Sequence, residues 1–249
     1  MQSSLLQSFI DWTGKVGLDY AFLASGYEAQ IWRDGFVITL YLILILVPVS
    51  LAFGLMFAAA LTSGRGAIAY PVRVFIEVTR NTPTLVQLMF SFLVLNTVVS
   101  NLLGGQQHNP LTPLFWVVAV VGLHVAALHA EAIRAGIEAV PPQTLEAARA
   151  IGFSRLQILR YVELPLAMRA ALPSLVNNLI NLVKLTTVGN AIAVSEITYA
   201  SIMVWTQRDN VVALMIVILL FFSAINLLIA RIGHWIERRL AVPGFGVGA

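Results

Sequence analysis

Asn177, Asn181 and Lys184 recur at i, i+4 and i+7 in an apolar stretch, which places two amides and an ammonium on one helical face. A lysine there can neutralise a carboxylate leaving water, and the two amides with the Thr187 hydroxyl can replace its lost hydrogen bonds. The same groups could equally act as interhelical glue, bonding neighbouring helices and nothing else. Lys184 is the only charged residue deep within a stretch long enough to cross a bilayer. Such a charge is costly unless it is paired or hydrated, so Lys184 needs a partner or water.

Glu131 and Arg134 stand one helical turn apart at the end of another apolar stretch. Their spacing predicts a mutual ion pair, with a gate or a subunit contact as the alternative. His108, His124 and His129 have no metal-ligand partners at useful spacing, and His234 reads as interfacial. No metal, cofactor or catalytic residue is therefore expected. The chain also lacks a nucleotide-binding Walker A sequence, because its one Gly-Lys pair, Gly14-Lys15, is followed by Val16.

The elements that must position these residues follow from composition. Of the 249 residues 59% are hydrophobic and 11% charged, with Cys absent and a net charge of +3. Soluble domains carry about 25% charged residues. An all-α integral membrane protein is the consequence, and the scattered arginines form no stripe for nucleic acid. Residues 1–10 lack a positive n-region and a small-residue cleavage site, so no removed signal peptide is expected.

A bilayer core needs about 20 apolar residues per helix. Five spans meet that length, near 36–61, 84–103, 111–128, 172–194 and 210–230, with NLLGGQQHNP (101–110) breaking the second from the third. Arg65, Arg73, Arg80, Arg134, Arg149, Arg155, Arg160, Arg169, Arg231, Arg238 and Arg239 would lie on one side, against Lys15, Arg33 and Arg208 on the other. The positive-inside rule then predicts an N-out, C-in topology. Residues 1–34 become an external segment, 35–239 the transmembrane domain and 240–249 a cytoplasmic tail. Trp12, Tyr20, Tyr27 and Trp32 suit a segment at the membrane interface.

Between the third and fourth spans lies EAARAIGFSRLQILRYVELP (146–165). Pro141 and Pro142 can open a helix, and Gly152 can take the left-handed conformation that ends it. Ser154 and Gln157 have the form of a capping box for a second short helix, which Leu164-Pro165 is expected to end. Leu145, Ala148, Leu156 and Leu159 would give the pair an apolar side. The spacing fits a hairpin packed on the membrane surface as well as a docking element for a soluble partner.

Glu146-Ala147-Ala148, Gly152 and Val162-Glu163-Leu164-Pro165 resemble the EAA loop (142–165) of ABC importer permeases. VTRNTPTLVQLMF (78–90), AEAIRAGIEAVPPQTLEAARAIG (130–152) and NLVKLTTVGNAIAVSEI (181–197) are similar to the polar-amino-acid permeases of the histidine, glutamine and glutamate type. The resemblance covers about residues 35–239, with Pro142 replacing a usual glycine and Leu185 a usual acid or amide. It implies a type I ABC importer permease fold in a bacterial inner membrane. Glu146, Ala147, Ala148 and Gly152 would belong to a cytoplasmic coupling helix, and Asn177, Asn181, Lys184 and Thr187 are read as the substrate pathway.

The implied partners are two ATP-binding cassette subunits, a second permease copy or homologue, an extracytoplasmic substrate-binding protein, membrane lipid and a polar amino acid. An amino-acid derivative such as an opine or ectoine is the alternative substrate. A stand-alone secondary transporter is a more distant reading, because embedded acids are not expected and five spans do not form two equal repeats.

Overall fold

The structure is a computed structural model that describes residues 2–208 and 210–240, with side chains from Leu5 onward. The expected tail thus lies outside the described residues, apart from Leu240. Among the described residues the regular structure is helical. In chain order the α-helices are α1 (Gln2–Lys15), α2 (Gly26–Thr62), α3 (Gly66–Arg80), α4 (Thr84–Phe90), α5 (Asn96–Leu102), α6 (Pro113–Glu138), α7 (Pro142–Ala150), α8 (Arg155–Ile158), α9 (Leu164–Leu185), α10 (Ile197–Trp205) and α11 (Val211–Leu240). Among the described residues five helical runs are long and apolar enough to cross a membrane: Gly26–Thr62, Thr84–Leu102, Pro113–Glu138, Arg155–Ile192 and Val211–Leu240.

Several helices outrun their apolar stretches. α2 begins at Gly26, and α6 continues to Glu138, so Glu131, Arg134 and Glu138 share one helix. The arginine-bearing segment after the first span is itself helical, α3, with Ile76 and Thr79 buried. A π turn at Ser91–Leu95 joins α4 to α5.

The second short helix does not stop at Leu164-Pro165. α8 passes through a π turn (Leu159–Glu163) directly into α9. Proline breaks an α-helix because it lacks the N–H for the carbonyl four residues back and clashes with it. The wider turn ends just before Pro165 and changes the hydrogen-bond register there, so the helix continues.

The chain divides into two compact units. One comprises Leu46–Gln87, Val120–Leu182 and Leu227–Ala249. Its core holds Ala58, Ile76, Ala127, Ala130, Ile133, Ala171 and Leu175. Small residues let the backbones of α6 and α9 come close. A Cβ on Gly136 would strike the Ala167 carbonyl oxygen and lie 2.9 Å from Ala171 Cβ. Such close approach favours van der Waals packing where water supplies no driving force.

The other unit comprises Met1–Ile45, Leu88–Ala119 and Val183–Asn226. Its core is aromatic: Tyr20 and Phe22 pack with Val204, Ala213 and Leu214. Asn96 there accepts from Trp116 Nε1 at 2.9 Å and from Asn109 Nδ2 at 2.8 Å, which holds the 101–110 connection against α5 and α6.

Candidate functional site

α9 carries the polar face. Its inward side holds Ala167, Ala171, Leu175 and Leu182, all buried. The neighbouring arc is polar: Ser174, Asn177 and Lys184 are exposed and Asn181 is half-buried. Asn178 points elsewhere, with Nδ2 3.5 Å from His129 Nδ1. Lys184 lies within the fourth apolar run (Arg155–Ile192), one residue before α9 ends and Thr186–Ile192 tighten into a 3-10 helix. Apolar residues continue beyond the turn, so composition conceals the change. Thr187 donates its hydroxyl to the Lys184 carbonyl at 2.8 Å, which occupies one of the helix's unpaired terminal acceptors.

No carboxylate pairs with Lys184 among the described residues. Its ammonium is free to meet a charge from outside this chain. Helix C-termini also favour cations, which helps the position tolerate an ammonium.

Glu131 and Arg134 do pair. Arg134 Nη2 donates to Glu131 at 2.8 Å and Nη1 to Glu138 at 2.6 Å, while Arg80 approaches Glu131 at 3.6 Å. His124 Nε2 lies 3.1 Å from the Thr84 hydroxyl.

Two buried carboxylates have partners that the sequence pattern does not announce. Arg208 Nε contacts both oxygens of the buried Glu28 carboxylate, at 2.7 and 2.8 Å, across 180 residues of sequence. Residue type gave no sign of that pairing. Glu196 is fully buried at the start of α10, where its carboxylate accepts from the Thr198 hydroxyl and from the amides of Thr198 and Tyr199. Burial pushes its carboxyl above the ordinary range, against those hydrogen bonds. An acid directly before an apolar helix is an N-cap signal that could have located it.

The hairpin has its expected local chemistry. Gly152 adopts φ +89°, a conformation open to glycine and strained for other residues, and it turns the chain out of α7. Ser154 and Gln157 form the reciprocal capping box. Glu146 and Ala147 are exposed on α7, and Ala148 is buried. The apolar side differs on α8: Ile158 is buried, whereas Leu156 and Leu159 are exposed. The π turn alters the helical register from Leu159 onward, which a uniform 3.6-residue period does not anticipate, while Leu156 stands about 200° from the buried Ile158 and so faces the other way. Leu145, Arg149, Phe153, Arg155, Ile158 and Glu163 line an open depression beside this turn.

Residues 50–242 match the family described as the binding-protein-dependent transport system inner membrane component. The chain belongs to this family. The permease is 29% identical over 209 residues to the glutamine transport system permease protein of Escherichia coli K12, covering 84% of this chain and 92% of that one. It is 32% identical over 185 residues to the octopine transport system permease protein of Rhizobium meliloti, covering 72% and 73%. A solved structure of an amino acid ABC transporter with histidines superposes at TM-score 0.73 with 28% identity, over 88% of the permease and 98% of that chain. An inward-facing methionine ABC transporter shares the fold at TM-score 0.65 and 18% identity. The permease has the type I ABC importer fold and is a multi-pass inner-membrane protein. Its family consists of transport proteins that work with ATPase, permease and binding-protein partners.

Proposed function

We propose that this permease imports polar amino acids by alternating access, between two ATPase subunits and beside a second permease. The single observation that carries the reading is the outward polar face of α9, Ser174, Asn177, Asn181 and Lys184. Polar groups turned away from their own chain at membrane depth need a water-filled path or another subunit. Lys184 offers a counter-charge for an α-carboxylate, and Asn177, Asn181 and Thr187 offer hydrogen bonds that exchange as the solute passes. An amino-acid derivative such as an opine is the second reading, favoured by the octopine permease among the relatives. Both substrates carry the carboxylate that Lys184 would meet. ATP hydrolysis belongs to the separate ATPase, which would receive α7 with Glu146, Ala147, Ala148 and Gly152. Glu131 and Arg134 brace α6 beyond its apolar stretch, and a gate or subunit contact would use the same pair.

The test is substrate-stimulated ATP hydrolysis and uptake in the reconstituted importer. Glu146→Lys reverses a charge on exposed α7, and Gly152→Val puts a β-branched residue at positive φ. Both variants are expected to assemble and to lose stimulation. Full stimulation in both would refute the docking role of α7.

The arginine distribution further supports an N-out, C-in orientation. Single cysteines at Gln106 and Arg155 of this cysteine-free chain should label with impermeant reagents from opposite sides, Gln106 from outside. Labelling of both from one side would overturn that orientation.

A further inference from the structure

α1 has three sectors rather than two. At about 100° per residue, Leu6, Ile10 and Thr13 share one arc, Leu5, Phe9 and Trp12 a second, and Gln7, Asp11 and Lys15 the third. The first arc faces the protein: Thr13 is buried, Leu6 and Ile10 are half-buried, and Ile10 packs against the cluster of Tyr20, Phe22, Val204, Ala213 and Leu214. The third is polar and exposed. The second is apolar and exposed, with Leu5 at 71% and Trp12 at 64%, and Val16 continues it past the helix end. A soluble surface helix would not ordinarily turn two apolar arcs outward and inward at once.

The packing sets the depth of α1. The cluster it touches includes Leu214 and is packed by Val217, in the first two turns of span α11, and by Trp32 in α2. Around those same turns of α11, Val212, Met215 and Leu219 are exposed apolar residues on a membrane span. Phe9, Tyr20, Phe22, Trp32 and Phe36 stack in succession, with ring centroids 5.5 to 6.5 Å apart, from α1 into the first span. Through Ile10, α1 thus packs on the same cluster as the start of a membrane span, several of whose other side chains are apolar and exposed.

We propose that the Leu5, Phe9 and Trp12 face of α1 lies in the bilayer, at the headgroup and acyl boundary beside the start of α11. Trp is favoured at that depth because its ring is apolar and its N–H polar. The polar arc carries one acid and one base, Asp11 and Lys15, so the attachment rests on apolar contact and not on anionic lipid. A binding protein or a second permease copy on the same face would instead shield it from lipid. This inference does not depend on the transported solute.

The test uses the assembled importer in vesicles of phosphatidylethanolamine and phosphatidylglycerol. Spin labels on single cysteines at Leu5, Phe9 and Trp12 should collide with oxygen severalfold more, relative to a water-soluble nickel chelate, than labels at Gln7 and Asp11. Equal ratios at all five positions would put the face in water. Labels at Leu5, Phe9 and Trp12 that neither agent reaches would put protein over it. Either result overturns the proposal. Trp12→Phe keeps an aromatic ring and tests the same point without a label. Brominated lipid should quench a tryptophan component in the native importer that this variant lacks, and an unchanged quenched fraction would also overturn the proposal.

Discussion

Arg134 is held by carboxylates on its own helix, Glu131 at 2.8 Å and Glu138 at 2.6 Å, whereas Lys184 is exposed and has no carboxylate partner among the described residues. Both are cations near the end of a membrane helix. Their surroundings separate them. Around Arg134 the charge is balanced within the chain, so its removal should act on the fold. Around Lys184 the balance is left open, so its removal should act on whatever arrives from outside. An ionisable residue in a membrane protein is often taken as functional by type alone. The pair here shows that a cation's partners, and not its residue type, separate a structural role from a functional one.

The largest expected effect follows from Lys184→Met, which keeps the length and removes the charge. A hydrogen bond to a charged group contributes roughly 1.5–3 kcal/mol, so uptake should fall by about tenfold or more. The melting temperature of the purified importer should stay near native, because the ammonium supports no ion pair among the described residues. Asn178→Ala is the control one helical face away: it removes a 3.5 Å contact with His129, and uptake should remain near native. Normal uptake with a clear loss of melting temperature in Lys184→Met would make the lysine structural and move the pathway to other residues.

Much of this arrangement is legible in sequence where the signal is local. Gly152 and the Ser154–Gln157 box announce themselves because capping chemistry is satisfied within a few residues. The five spans appear because a bilayer imposes a minimum apolar length. The helix ends are less legible: α2 and α6 extend through polar turns that lipid does not require. Pro165 misleads because the π turn before it absorbs the missing N–H, a register change that no single residue signals. Lys184 and Asn177 were visible as types, but their exposure depends on which neighbours the chain supplies. The Glu28–Arg208 pair shows the same limit from the other direction, since its members stand 180 residues apart.

A smaller effect is expected from Arg134→Met, and it sharpens the contrast because the change is chemically the same. The substitution leaves Glu131 with Arg80, at 3.6 Å, as its one ion-pair partner among the described residues, and removes the partner of Glu138. The side chains are partly exposed, with Arg134 at 32% and Glu131 at 24%, so water can solvate the released carboxylates. Exposed ion pairs contribute up to about 1 kcal/mol, and this cluster of three linked pairs should sit near that upper end. Melting temperature should therefore drop modestly, while uptake per folded importer stays close to native. High salt should shrink the difference between the two proteins, because screening weakens the pairs that only the native chain has. A variant with native melting temperature and lost uptake would reverse the assignment. Arg134 would then act on a moving or facing surface, as a gate or subunit contact does, and its ion pairs would be secondary to that role.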